Sequence, residues 1–169
     1  MKKILLILSV VLLSVSLQGQ MIIRANSNAR VMAVADTLGA EMISNGVFTD
    51  GTDWTANTGW AIGSGVATYD DVTNNALLLQ VNADMISAIT ATTTYRLEFD
   101  ITISSGNAFF SINNSSGTVA YKTLNTYSNG HKVVRFTTTA VTIAGISFWG
   151  NIGSTTSFTI DNISLKKVL

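Results

Sequence analysis

Tyr95-Arg96-Leu97-Glu98-Phe99-Asp100-Ile101-Thr102-Ile103-Ser104 is the stretch that decides the fold. Large apolar side chains at 95, 97, 99, 101 and 103 alternate with charged or hydroxyl-bearing ones at the positions between. Successive residues of an extended chain point to opposite faces, so this period of two marks a strand with one face in a core and one in water. Half-exposed strands of that kind belong to antiparallel sheets. Further along, Val134 and Phe136 alternate with Val133 and Arg135, and Ile146 and Phe148 alternate with Ser147 and Trp149. Phe158 and Ile160 lie on one phase, Ile163 and Leu165 on the other. The slip at Asp161-Asn162 predicts a bulge or sharp bend. Turn signals stand between these runs: Gly63-Ser64-Gly65, Thr73-Asn74-Asn75, Ser104-Ser105-Gly106-Asn107, Asn113 to Gly117, Ser128-Asn129-Gly130 and Gly150 to Ser154. Short strands at intervals of about ten residues predict an all-β sandwich or barrel of about nine strands. Asp70-Asp71 reads as turn chemistry. No long helical period follows Gly39, and no internal repeat stands out.

Composition narrows the function. The chain has 169 residues, enough for one compact domain, with 47% hydrophobic and only 12% charged residues. Formal net charge is zero; without Lys2 and Lys3, eight basic residues face ten acidic ones, a balance of about −2. No basic stripe is left to follow a phosphate backbone, which argues against a nucleic-acid partner. Cysteine is absent, so a disulfide framework, a thiolate metal site and a cysteine nucleophile are all excluded. Proline is absent too, and the turns must be built from Gly, Asn, Asp and Ser.

The first residues have a different texture. Met1-Lys2-Lys3 is a short basic start, Ile4 to Leu13 an apolar run, and Ser14 to Gly19 a stretch with small residues where cleavage fits. This is the layout of a secretory signal peptide, expected over residues 1–19. The apolar segment from Ile4 to Leu17 is 14 residues, short of the roughly 20 that span a bilayer. The expectation is an exported protein, whether extracellular, periplasmic or surface-associated, with no stable membrane span after processing. Residues 20–40, with Arg24 to Arg30 followed by Val31-Met32-Ala33-Val34-Ala35, read as an N-terminal arm or linker. The sandwich domain is expected over 41–169.

Catalytic chemistry is poorly served. His131 is the single histidine, at a strand start after Asn129-Gly130, where a surface role is the ordinary one. Glu98 and Asp100 point to one face of their strand, as a carboxylate pair for glycoside hydrolysis would. Alternating charges are also what a solvent-facing sheet looks like. The acidic strand motif of laminarinase-type glycosidases, which Glu98-Phe99-Asp100 partly resembles, needs a further glutamate; Ile101, Thr102 and Ile103 stand there instead. No complete set of acid, base or nucleophile is present, and the expectation is not an enzyme. Aromatic residues offer binding chemistry, because the C–H faces of sugars stack on rings while nearby polar groups bond their hydroxyls. Trp149 is out of phase with Ile146 and Phe148 and should face away from the core. Tyr121, Tyr127 and Phe109 are further candidates, whereas Trp54 and Trp60 sit beside turns and should close the ends of the sandwich.

The segment Asn45-Gly46-Val47-Phe48-Thr49-Asp50-Gly51-Thr52-Asp53-Trp54 resembles the opening of the jelly-roll carbohydrate-binding modules of the cellulase and xylanase type. Phe158-Thr159-Ile160-Asp161-Asn162-Ile163-Ser164-Leu165 is similar to the last strand of the same family. Thr58 to Ala67 also looks like a variant found in phage virion proteins and in exported proteins of Bacteroidetes-like bacteria. The resemblance spans about residues 41 to 169. It implies a two-sheet antiparallel jelly-roll (galactose-binding-like) sandwich and a non-catalytic module for polysaccharide or cell-surface glycan. It also implies a structural calcium, with Asp161 as a ligand and Asp50 replacing the acidic residue that normally follows the phenylalanine directly. Calcium takes six to eight oxygens, so loop carbonyls would supply most of them. The alternative expectation is a structural subunit of a virion surface, secreted filament or matrix, self-associating through the arm and sheet edges.

Overall fold

The computed structural model describes residues 35–71, 76–113, 120–125, 127–139, 143–150 and 155–169. The chain forms two units, Met1–Asp36 and Thr37–Leu169. Residues 1–34, with the expected signal peptide and residues 20–34 of the expected arm, lie outside the described residues, as do the turn signals at 73–75, 114–117 and 151–154.

Eleven strands are described: β1 (Leu38–Glu41), β2 (Thr55–Ala56), β3 (Trp60–Gly63), β4 (Val66–Asp71), β5 (Leu77–Val81), β6 (Thr94–Ser105), β7 (Ala108–Asn113), β8 (Ala120–Asn125), β9 (Gly130–Thr137), β10 (Gly145–Gly150) and β11 (Thr156–Val168). There is no helix among the described residues. The strands form two sheets, one in the order β3-β4-β11-β6-β9 with β1 added on β11, the other β2-β5-β10-β7-β8. Every pairing is antiparallel. The result is the expected two-sheet jelly-roll sandwich. β1 begins at Leu38 and pairs with the end of β11, so the last residues before 41 already belong to it.

The core lies between the sheets and follows the alternation. Tyr95, Leu97, Phe99 and Ile101 on β6 are at most 2% exposed, as are Phe158 and Ile160 on β11 and Ile146 and Phe148 on β10. Phe99 meets Phe148 edge-on at 5.3 Å, and Phe110 meets Phe136 at 5.6 Å, each contact joining one sheet to the other. The slip in β11 is a register shift between Asp161 and Ser164, with Asn162 at φ +52. That extra residue lets Phe158 and Ile160 on one phase and Ile163 and Leu165 on the other all reach the core. Ser64 and Gly65, both at positive φ, close the β3–β4 hairpin in the two-residue form that suits the twist of antiparallel strands. Asp70 and Asp71 differ from expectation: they end β4, paired with Ser157 and Thr156, because the partner strand β11 runs on past the hairpin.

The Asn45-Gly46-Val47-Phe48 segment is a folded loop. Asn45, at φ +47, accepts from Thr49 N and Oγ1 through Oδ1 and donates Nδ2 to the carbonyls of Asp50 and Thr52. Gly46 has no room for a side chain, since a Cβ there would lie 2.0 Å from the Ile163 carbonyl oxygen. That closeness allows Ile163 N to donate to Gly46 O at 2.8 Å and ties the loop to β11. Phe48 is fully buried and packs on Trp54, whose Nε1 donates to Asn45 O. Trp60, 8% exposed, packs on Tyr69 and Phe158 and donates to Ala76 O. Both tryptophans are structural, as expected.

Candidate functional site

The five-stranded sheet sends Leu78 and Gln80 of β5, Phe110 and Ile112 of β7, and Ile146 and Phe148 of β10 into the core. Alternation therefore turns Leu77, Leu79, Phe109, Ser111, Ser147 and Trp149 outward. Register assembles them into rows that cross the strands. One row runs through positions 77, 149, 109 and 125, the next through 55, 79, 147, 111 and 123.

Trp149 and Phe109 are direct cross-strand neighbours, with ring centroids 4.4 Å apart and planes 17° from parallel. Neighbouring strands are themselves about 4.8 Å apart, so rings stacked at this distance stand up from the sheet. Each ring hides one face against the other, and both residues are half-buried. Ser147 and Ser111, 0% and 2% exposed, lie beside them as a sunken row, their hydroxyls 2.8 Å apart. The phase of β10 already pointed Trp149 outward. Its pairing with Phe109 depends on register between two strands far apart in sequence, which alternation does not supply.

The remaining aromatic candidates are placed differently. Tyr127 meets Phe99 edge-on at 5.1 Å and is partly buried against the core. Burial pushes its phenol up to about 12. Tyr121 lies on β8, and its side chain is outside the described residues.

The six-stranded sheet presents a charged face. Arg96, Glu98 and Asp100 point outward from β6, as their alternation predicts. His131, opposite Asp100 on β9, bridges both carboxylates, with Nδ1 2.9 Å from Asp100 Oδ1 and Nε2 3.2 Å from Glu98 Oε2. Arg96 Nε lies 3.0 Å from Glu98 Oε1, and Asn162 Nδ2 donates to Asp100 Oδ2 at 2.8 Å. The bond to Asp100, followed by that to Glu98 and their charges, raises the His131 pKa. The bond from Asn162 and then that from His131 lower the Asp100 pKa. Glu98 and Asp100 thus sit in an ion-pair network. His131 was legible as a surface residue, but its two partners were visible only once β9 was aligned on β6.

Of the two aspartates expected at calcium, Asp50 uses Oδ1 to accept from Asn45 Nδ2, Thr52 N and Thr52 Oγ1, with the Thr52 bonds leading in lowering its pKa. Asp161 Oδ1 accepts from Asn162 N. Among the described residues, no group of three or more His, Cys, Asp and Glu is arranged to hold a metal ion.

No protein-family model matches the chain, and no curated protein matches it in sequence. Solved structures do match in fold. A carbohydrate-binding module of family 4 aligns with a TM-score of 0.53 and 18% identity, over 74% of this chain and 99% of the module. A family 29 carbohydrate-binding module, solved as a variant complexed with cellulohexaose, aligns with a TM-score of 0.54 and 12% identity, over 80% of this chain and 93% of the module. The enzymatically active domain of tailspike protein 4 of bacteriophage CBA120 aligns with a TM-score of 0.50 and 14% identity, over 76% of this chain but 21% of that one. At these identities the likeness is one of fold. The chain has the jelly-roll sandwich of the carbohydrate-binding modules, as the segments around Asn45 and Phe158 implied.

Proposed function

We propose that this protein is an exported, non-catalytic module that binds a neutral polysaccharide or cell-surface glycan across the outward face of its five-stranded sheet. The observation that carries the reading is the Phe109–Trp149 stack standing on that face, in a fold shared with carbohydrate-binding modules. The exposed part of the paired rings offers apolar surface for sugar C–H groups. Every position of the two rows, from Leu77 to Asn125 and from Thr55 to Thr123, carries an uncharged residue. That favours uncharged sugars over uronic acids. Tyr121 and Tyr127 remain secondary candidates, at the β8 end of the sheet and beyond it.

A structural calcium belongs to the same reading. An ion at Asp50 or Asp161 would draw on the carboxylate oxygen not already accepting within each turn, and on loop carbonyls. Melting with and without EDTA tests it: a lower Tm in EDTA, restored by added calcium, assigns the ion, and coincident curves dismiss it.

Screening the protein against a broad array of neutral and acidic glycans tests the main proposal. Retention of neutral β-linked or α-linked polysaccharides is the expected result. No retained glycan would refute it and advance the alternative, a structural subunit that assembles through its arm and sheet edges.

A further inference from the structure

We propose that Asn129-Gly130, at the entry to β9, is a site of spontaneous covalent modification, where the asparagine closes onto the next amide and becomes aspartate or isoaspartate. The chemistry needs only water and its hydroxide. Gly130 N gives its proton to hydroxide and attacks Asn129 Cγ. The Cγ–Nδ2 bond breaks, and Nδ2 takes a proton from water and leaves as ammonia. Water then opens the five-membered imide. Opening at Cγ gives aspartate; opening at the main-chain carbonyl gives isoaspartate, with the chain running through the former side chain.

A glycine after the asparagine leaves the attacking nitrogen unshielded, because it has no Cβ. The sequence holds two such pairs, Asn45-Gly46 and Asn129-Gly130, and the fold treats them oppositely. Asn129 and Gly130 are exposed, and a Cβ on Gly130 would meet nothing within 4 Å. Gly130 is the first residue of β9, on the last rung of its ladder with β6, opposite Ile101. Asn129 Oδ1 accepts from Ile103 N at 2.7 Å, the one hydrogen bond of that side chain among the described residues. That donor sits on the oxygen where negative charge builds as the ring closes. Nδ2, the leaving nitrogen, is unheld. Lys132 Nζ donates to Asn129 O at 3.1 Å. The anion of the Gly130 amide shares its charge with that oxygen, so the ammonium favours loss of the proton.

Asn45 is held against the same reaction. Its Nδ2 donates to Asp50 O, Asp50 Oδ1 and Thr52 O, and its Oδ1 accepts from Thr49 N and Oγ1. Its main-chain carbonyl takes neutral donors, Phe48 N and Trp54 Nε1. Gly46 is wedged against β11, where a Cβ would lie 2.0 Å from Ile163 O. Ring closure at Asn45 must take the loop apart; at Asn129 it disturbs one side-chain bond.

The two products differ in what they do to the fold. Aspartate keeps the length of the main chain and an oxygen for Ile103 N. Isoaspartate adds a carbon to the main chain just ahead of His131, whose bonds to Asp100 and Glu98 fasten β9 to β6. The isoaspartyl form therefore loosens this edge strand, and the aspartyl form does not.

Incubating the full chain in mildly alkaline buffer and mapping its peptides by mass spectrometry tests the proposal. Asn129 should convert about tenfold faster than Asn45, a small part of what placed donors give inside enzymes. In denaturant the two pairs should convert at similar rates, because the fold alone sets them apart. Lys132→Met should slow conversion at Asn129 in the folded chain and leave it unchanged in denaturant, with melting curves confirming that the variant folds. Isoaspartyl chains should melt below the unmodified protein, and Asn129→Asp should melt with it. A folded chain that converts Asn45 as fast as Asn129 would overturn the proposal. So would a folded chain that converts neither while the denatured chain converts both. An unchanged rate in folded Lys132→Met would overturn the part given to the ammonium.

Discussion

At the scale of single residues, the sandwich is held at its ends by polar side chains that satisfy loop backbone. Gln80 is fully buried, donates Nε2 to the carbonyls of Ser44 and Asp53, and accepts from Ser44 N. Gln80→Leu keeps the volume but leaves those groups without partners. It should cost about 2–3 kcal/mol and lower Tm by roughly 6–12 °C, measured by thermal melting. His131 makes a different prediction. Its folded pKa is raised, so its stabilising bonds are fully present below the unfolded value near 6.5 and fade as pH rises through the folded value. Asp100 is lowered, so its share is present above 3.8 and fades as pH falls through its folded value. Stability from the pair should therefore be complete between about pH 4 and 6.5. A His131→Ala variant should lose the decline on the alkaline side of that window in a Tm–pH profile, while the acid-side decline persists. A profile unchanged by the substitution would show that the bridge contributes nothing.

At the scale of strands, legibility followed the physics of alternation. β6, β9 and β11 were readable because each has one wet face and one dry face, and the bulge at Asp161-Asn162 was readable as a slip in phase. β2, with two residues, and β1, with no alternation, carry too little pattern to be found. β10 was only half legible, since Ser147 on its outward phase is as buried as Ile146. The outward direction of Trp149 came from phase, but its stacking partner, the bridging role of His131 and the carbonyls held by Gln80 all depend on register between distant strands. Local sequence does not encode that. The Trp149–Phe109 pair also supports the β10–β7 pairing. Trp149→Ala should cost about 1–2 kcal/mol, because a cross-strand aromatic contact is worth ~1 kcal/mol beyond its buried area. A denaturant melt should show that modest loss and a chain that remains folded.

At the scale of the whole domain, the two sheets turn contrasting faces outward. The five-stranded sheet shows an uncharged face with an aromatic stack, and the six-stranded sheet shows a network of paired charges. Carboxylates suited to hydrolysis by type and spacing are bound into that second face, so the aromatic pair and the charged network are separated by the core. The most direct test of the account is affinity electrophoresis through gels containing neutral polysaccharides, comparing the wild type with Trp149→Ala. At least one polysaccharide should retard the wild type, and the folded variant should lose tenfold or more in affinity, about 1.4 kcal/mol. Retardation that is equal in both proteins would contradict the claim that this face binds the glycan.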